Sequence, residues 1–139
     1  MKKRFVRYHL PAVVFATLIF ALSSLSKTPE ILSEVVGADK LLHALEYFIF
    51  GYLIMRVFAT SPGRFIRRWA VLLALVAGTA YAASDEFHQS FVPGRTASLY
   101  DVLFDTLGVL LAAALYRPMR FRVGLLKAFE DHLEWEAES

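Results

Sequence analysis

Residues Asp85–Asp105 read DEFHQSFVPGRTASLYDVLFD, and they lie between and within two apolar segments, Phe65–Ala83 and Leu99–Tyr116. Each segment is close to the ~20 residues a helix needs to cross ~30 Å of hydrocarbon. Ionisable side chains at bilayer depth cost several kcal/mol unless paired or hydrated, so they are rare there and usually functional. The stretch nevertheless packs Asp85, Glu86, His88, Gln89, Arg95, Ser98, Asp101 and Asp105 into 21 residues. Pro93-Gly94 marks the turn between the two segments. A second polar group, DKLLHALEY from Asp39 to Tyr47, enters another apolar segment in the same way.

Working outward, two more apolar spans are readable, Leu10–Leu25 and Leu41–Phe58. Ser61-Pro62-Gly63 separates the second span from the third. None of the four alternates with period two, which argues against a transmembrane β-barrel. Composition agrees: 57% of the 139 residues are hydrophobic, above the 45–50% usual in soluble domains, and only 20% are charged. Mean hydropathy is +0.48. The expected fold is all-α, a polytopic membrane protein of four transmembrane helices plus a C-terminal cytoplasmic amphipathic helix. The chain has no cysteine, which excludes disulfides, Cys-ligated zinc and thiol chemistry. The basic start and the small residues near Ser23 also fit a cleaved signal peptide. A retained helix is the preferred reading, because the run is long for a leader and three helices would screen the polar groups poorly.

Orientation follows from the basic residues. Twelve lie on one side: Lys2, Lys3, Arg4 and Arg7 before span one, Arg56, Arg64, Arg67 and Arg68 around the turn between spans two and three, and Arg117, Arg120, Arg122 and Lys127 after span four. Only three, Lys27, Lys40 and Arg95, fall on the other. The positive-inside rule then puts both termini in the cytoplasm, with the polar groups facing outward from the cytoplasmic (inner) membrane. Tyr8, Trp69 and Tyr116 fall where an inner aromatic belt is expected. Two units result: residues 1–116 as a four-helix transmembrane domain and residues 117–139 as a cytoplasmic tail. In the tail Phe121, Leu125, Phe129 and Leu133 recur at spacing four, as in an interfacial amphipathic helix.

Helical spacing places Asp39, His43 and Glu46 or Tyr47 on one side of span two. It does the same for Tyr81, Asp85, His88 and Gln89 on span three, and for Ser98, Asp101, Asp105 and Gly108 on span four. Such stripes against lipid are costly, so they should turn toward each other and form an outward-opening polar pocket. Glu46 and Asp105 each lie seven residues into a span, ~10 Å deep, and are expected to hold a proton between them, directly or through His43 and water. Bland readings stand beside these. His43 and His88 serve as interfacial histidines bonded to carboxylates, Asp85 and Glu86 end a helix among headgroups, and Asp101 complements a helix dipole. Arg95 is harder to dismiss, because it is the only arginine on its side and its planar fork suits phosphate or carboxylate. His-Glu-x-x-His, Gly-x-Ser-x-Gly and a phosphate-cradling glycine loop are all absent.

These residues carry a resemblance. DKLLHALEY followed by DEFHQSFVPGRTASLYDVLFDTLG resembles the VanZ-like family of small bacterial membrane proteins, on Asp39, Lys40, His43, Tyr47, Asp85, Glu86, Gln89, Phe91, Pro93, Gly94, Arg95, Ser98 and Asp101. The resemblance spans about Ser23 to Leu115 and leaves out the tail. The family often carries Asn where this chain has Asp105. It implies a cell-envelope role; a link to glycopeptide susceptibility rests on the family's namesake alone. No established catalytic residue comes with it.

Two functions fit. In the preferred one the pocket binds an anionic envelope lipid or lipid-linked wall precursor through Asp39, Lys40, His43, Glu46, Tyr47, Asp85, Glu86, Gln89, Arg95, Ser98, Asp101 and Asp105, with Arg95 and Lys40 on its phosphate. The alternative is a membrane-embedded enzyme working by histidine–carboxylate acid–base chemistry, with His43, Asp85, Glu86, His88 and Asp101 as catalytic candidates. A transporter ranks third and would call for a dimer. No cofactor is expected, and the His and acidic residues make a divalent metal the weaker alternative. The expected partners are membrane lipids, with no nucleic acid.

Overall fold

The computed structural model describes residues 2–26 and 38–122. All regular structure among them is helical, and four helices are long and apolar enough to cross a membrane: Phe5–Ser23, Asp39–Ala59, Ala70–Gln89 and Leu99–Arg117. The chain is thus a four-span helical membrane protein, as expected. We call the helices α1 (Leu10–Ser23), α2 (Ala38–Ala59), α3 (Arg64–Arg68), α4 (Ala70–Gln89) and α5 (Leu99–Arg122). The anticipated tail helix lies outside the described residues, but α5 continues unbroken past Tyr116 to Arg122.

Two spans start elsewhere than expected, each for a local reason, and the third also runs on past Ala83 to Gln89. The first span begins earlier because a π-helical turn, Phe5–His9, continues straight into α1. Pro11 has no N–H to give the Arg7 carbonyl four residues back. The Leu10 N–H reaches the Phe5 carbonyl instead, a five-residue step. The third span begins later, at Ala70. Phe65 belongs to the separate short helix α3, which ends where Trp69 leaves helical geometry (φ −101°, ψ 15°). Arg67 holds this connection by donating to the carbonyls of Ser61 (2.6 Å) and Pro62 (2.9 Å).

α2 packs most extensively on α5, and α4 covers both, while α1 leans on α2 and α4. Pairings described below set α1 and α4 running one way and α2 and α5 the other. Helices in lipid associate through close packing of small residues, and the core follows that rule. The buried stripe of α4 is Ala70, Ala74, Gly78 and Ala82, before the polar Asp85, Glu86 and Gln89. The α2–α5 seam is closer still. A Cβ on Gly108 would strike the Ala44 carbonyl and the Phe48 nitrogen, and one on Gly51 would sit 2.8 Å from the Val109 Cα. Large apolar side chains such as Leu41, Val76, Leu99 and Leu103 point outward, as lipid contact requires.

The aromatic belt is only part of what was expected. Trp69 is exposed, but Tyr8 and Tyr116 are buried, Tyr116 stacking against Tyr52 with centroids 5.5 Å apart. Spacing along the chain locates a residue's depth, and the helix face decides whether it meets lipid.

Candidate functional site

The polar stripes of α2, α4 and α5 converge at one end of the bundle, as their spacing requires. On α2, Lys40 sits between two carboxylates, Asp101 of α5 and Asp39 at 3.1 Å. One turn deeper, His43 Nδ1 meets Asp105 Oδ1 at 3.0 Å. Asp105 is 1% exposed, so this imidazole is its access to a polar partner in the core. The two α2–α5 bridges therefore lie one above the other along the glycine seam, and the close approach that Gly108 permits is what lets them form.

On α4, Asp85 accepts from the Gln89 amide (3.0 Å) and from the Ser23 hydroxyl of α1 (2.6 Å). Glu86 accepts from the Ser98 backbone N–H through Oε1, fixing the start of α5. The Ser98 hydroxyl in turn accepts from the Tyr100 N–H at 3.2 Å, a turn-stabilising role. His88 bonds Ser24 (3.0 Å) and packs its ring against Phe20, so it joins α1 and stands apart from His43. Gly94 holds φ at +84°, a left-handed geometry that favours glycine. This bend brings Arg95 back over the bundle, where it donates to the Leu22 carbonyl at 3.3 Å.

Sequence reasoning missed the contribution of α1. Ser23, Ser24 and the Leu22 carbonyl close the cluster on a fourth side. The signal was present, since two serines end an otherwise apolar span, but small residues there also suit a cleavage site. At the depth counted for Glu46 and Asp105, the structure sets His43 beside Asp105. Asp105 bonds His43, and Glu46 is half-buried with no hydrogen bond among the described residues, within electrostatic reach of His43, Asp85, Asp105 and Arg95.

Three buried polar atoms in this cluster have no hydrogen-bond partner among the described residues: Tyr47 Oη, Glu86 Oε2 and Arg95 Nε. Tyr47 is 1% exposed and lies in the electrostatic field of Asp85, Asp105, Tyr81 and Glu46. Buried polar atoms left unpaired cost about 1–3 kcal/mol each, and native structures retain few of them. Among the described residues no group of three or more His, Asp or Glu side chains is arranged to hold a metal ion.

The model of the VanZ/LLP1 family matches residues 2–122. The chain belongs to the VanZ/LLP1 family. The match takes in every helix described above, including α1, which the motif residues alone left mostly uncovered. Searches of curated proteins and of solved structures give no significant match. In this VanZ/LLP1 family member the motif residues thus divide by task. Lys40 with Asp101 and His43 with Asp105 pair across α2 and α5, Asp39 and Gln89 bind Lys40 and Asp85 within their own helices, and Tyr47, Glu86 and Arg95 each keep a polar atom without a hydrogen bond among the described residues.

Proposed function

We propose that the polar cluster is the binding site for an anionic envelope lipid or lipid-linked wall precursor, with Arg95 on its phosphate. The protein would sit in the bacterial cytoplasmic membrane with both termini in the cytoplasm, so that the cluster faces the outer leaflet. The observation that carries this reading is the state of Arg95. Of the lysine and arginine side chains described at this end, Lys40 is held by Asp101 and Asp39, and Arg95 has no carboxylate partner among the described residues. A half-buried guanidinium on a rigid Pro-Gly bend suits a tetrahedral anion bound in bidentate fashion. The paired acids order the cluster without claiming that charge. Tyr47 Oη and Glu86 Oε2 then offer hydrogen bonds to headgroup hydroxyls or amides. Lys40 plays no part in phosphate binding on this reading, because its charge is already compensated.

Native mass spectrometry of gently extracted full-length protein tests it. The parent protein should carry an anionic lipid, and Arg95→Ala should lower its occupancy about tenfold, the loss of one charge-assisted contact of ~1.5 kcal/mol. Arg95→Lys should also weaken retention, since the planar fork is gone although the charge remains. Undiminished lipid in Arg95→Ala would reduce the arginine to a membrane anchor.

The second reading, an enzyme acting on such a lipid, is favoured by the His43–Asp105 pair, in which a carboxylate orients an imidazole as in general-base sites. Headgroup release from a lipid-linked precursor that His43→Ala abolishes would select it.

A further inference from the structure

Charge in the polar cluster does not balance. Six carboxylates are described there, Asp39, Glu46, Asp85, Glu86, Asp101 and Asp105, against Lys40, Arg95 and the histidines His43 and His88. Even with both histidines protonated, six acids face four cations. Lys40 takes up Asp39 and Asp101, and His43 takes up Asp105. The other three acids have no cationic partner among the described residues. Asp85 is met by two neutral donors, the Ser23 hydroxyl and the Gln89 amide. Glu86 accepts the Ser98 backbone N–H through Oε1, while its Oε2 is buried without a hydrogen bond. Glu46 has no hydrogen bond among the described residues.

A ligand that is only an anion fits this arrangement badly. Its phosphate would answer Arg95 and bring more negative charge toward Glu46, which is within electrostatic reach of that arginine. Glu86 is 6% exposed and lies in the field of Asp101, His43 and Asp105. Burying a carboxylate there without a counter-charge is costly. The orphaned atoms are also complementary in kind. Arg95 Nε is a donor in want of an acceptor, and Glu86 Oε2 is an acceptor in want of a donor. Tyr47 Oη, equally unpaired, serves as either.

We propose that the headgroup held at Arg95 also carries a primary ammonium, received by Glu86 Oε2 and Glu46. The ligand is then an aminophosphate lipid, anionic at its phosphate and cationic at its amine. This assignment rests on the phosphate contact proposed for Arg95 and narrows the ligand that contact would accept. The arginine meets the phosphate that phospholipids share, and the two glutamates select the group beyond it. A primary ammonium brings three N–H donors, and hydrogen bonds from a charged donor to a carboxylate are roughly twice as strong as neutral ones. A trimethylated ammonium keeps the charge but has no N–H to give.

The test uses full-length protein in nanodiscs of phosphatidylethanolamine, phosphatidylglycerol and phosphatidylcholine in equal parts, with the retained lipids read by native mass spectrometry. The parent chain should hold phosphatidylethanolamine about tenfold over each of the others, the worth of one charge-assisted hydrogen bond. Glu86→Gln keeps an oxygen for the Ser98 N–H, so it should fold and retain as much lipid in total while losing the preference over phosphatidylglycerol. Glu46→Gln should weaken the same preference in part. Arg95→Ala acts on total lipid and Glu86→Gln on the ratio, so the phosphate contact and the amine contact fail separately. Equal retention of phosphatidylglycerol and phosphatidylethanolamine by the parent would overturn the amine assignment and leave the phosphate contact standing. An undiminished preference in Glu86→Gln would overturn it as well. If that variant does not fold, the parent decides alone: stepwise N-methylation of phosphatidylethanolamine should lower retention, and indifference to methylation would overturn the assignment. Millimolar phosphoethanolamine should not displace the lipid; complete displacement would make this a site for a soluble aminophosphate and overturn the lipid.

Discussion

At the scale of single residues, the chemistry of the polar cluster around Arg95 rests on Asp105 and His43. A carboxylate that is 1% exposed with an imidazole nitrogen at 3.0 Å is a satisfied pair. Breaking it from one side leaves the other partner buried and unmet, at about 1–3 kcal/mol. Asp105→Asn keeps an oxygen that can accept from His43, so thermal unfolding in detergent should move little. Asp105→Leu keeps the bulk and removes the acceptor, and it should lower stability by that ~1–3 kcal/mol. Equal effects of the two substitutions would show that only volume matters there. The sequence made this residue legible as a problem, because its depth could be counted from Ser98. It left the partner open between Glu46 and His43, since both lie on the correct face of α2. Choosing between them takes the helix–helix register, and that is set by Gly51 and Gly108, whose packing role no local pattern announces. Ser23 was hidden for a related reason: hydrogen bonds between spans distant in the chain leave no spacing to read.

Among elements, the helices themselves were legible from hydropathy and their ends were not. The π turn at Pro11 and the break at Trp69 moved two boundaries by about five residues, and both depend on backbone bonding that apolar periodicity does not record. What holds the elements together can be tested by graded substitutions in the glycines. At Gly108 a Cβ would meet the backbone of α2, which cannot yield without moving the helix. At Gly78 it would meet the Val109 methyl carbons at 2.7 and 2.9 Å, a side chain that can shift. Overpacking typically costs ~1–3 kcal/mol, so Gly108→Ala should fall at the upper end of that range and Gly78→Ala at the lower, compared by unfolding in mixed micelles. If Gly78→Ala is the more damaging, the α2–α5 seam is not the principal contact. α1 offers a second test, because its C-terminal end is held through Ser23, Ser24 and the Leu22 carbonyl. Ser23→Ala should speed amide hydrogen exchange in the last turn of α1 and leave the α2–α5 seam unaltered.

For the whole molecule, two polar ends of opposite character imply one orientation. α1 and α4 deliver Ser23, Asp85 and Gln89 to the same end from which α2 and α5 begin with Lys40 and Asp101. That end holds every described carboxylate, and the other holds Arg4, Arg7, Arg56, Arg64, Arg67, Arg68 and Arg117. Basic residues close to the ends of short-looped helices are retained in the cytoplasm during insertion. The arginine-rich end should therefore be cytoplasmic, which also gives the Arg95 cluster access to the outer leaflet. The sequence contains no cysteine, so single introduced thiols report position without background. Thr96→Cys lies in the exposed loop after Arg95, and Gly63→Cys lies in the exposed turn before α3, where a Cβ meets only ordinary contacts at 3.6 Å and beyond. In intact cells a membrane-impermeant maleimide should label Thr96→Cys and spare Gly63→Cys; after the membrane is opened, both should react. Reporter fusions after Ser139 should give the cytoplasmic signal. The reversed pattern would turn the Arg95 cluster toward the cytoplasm, where a precursor carried on the outer leaflet could not reach it, and the proposed ligand would then have to be sought among lipids of the inner leaflet.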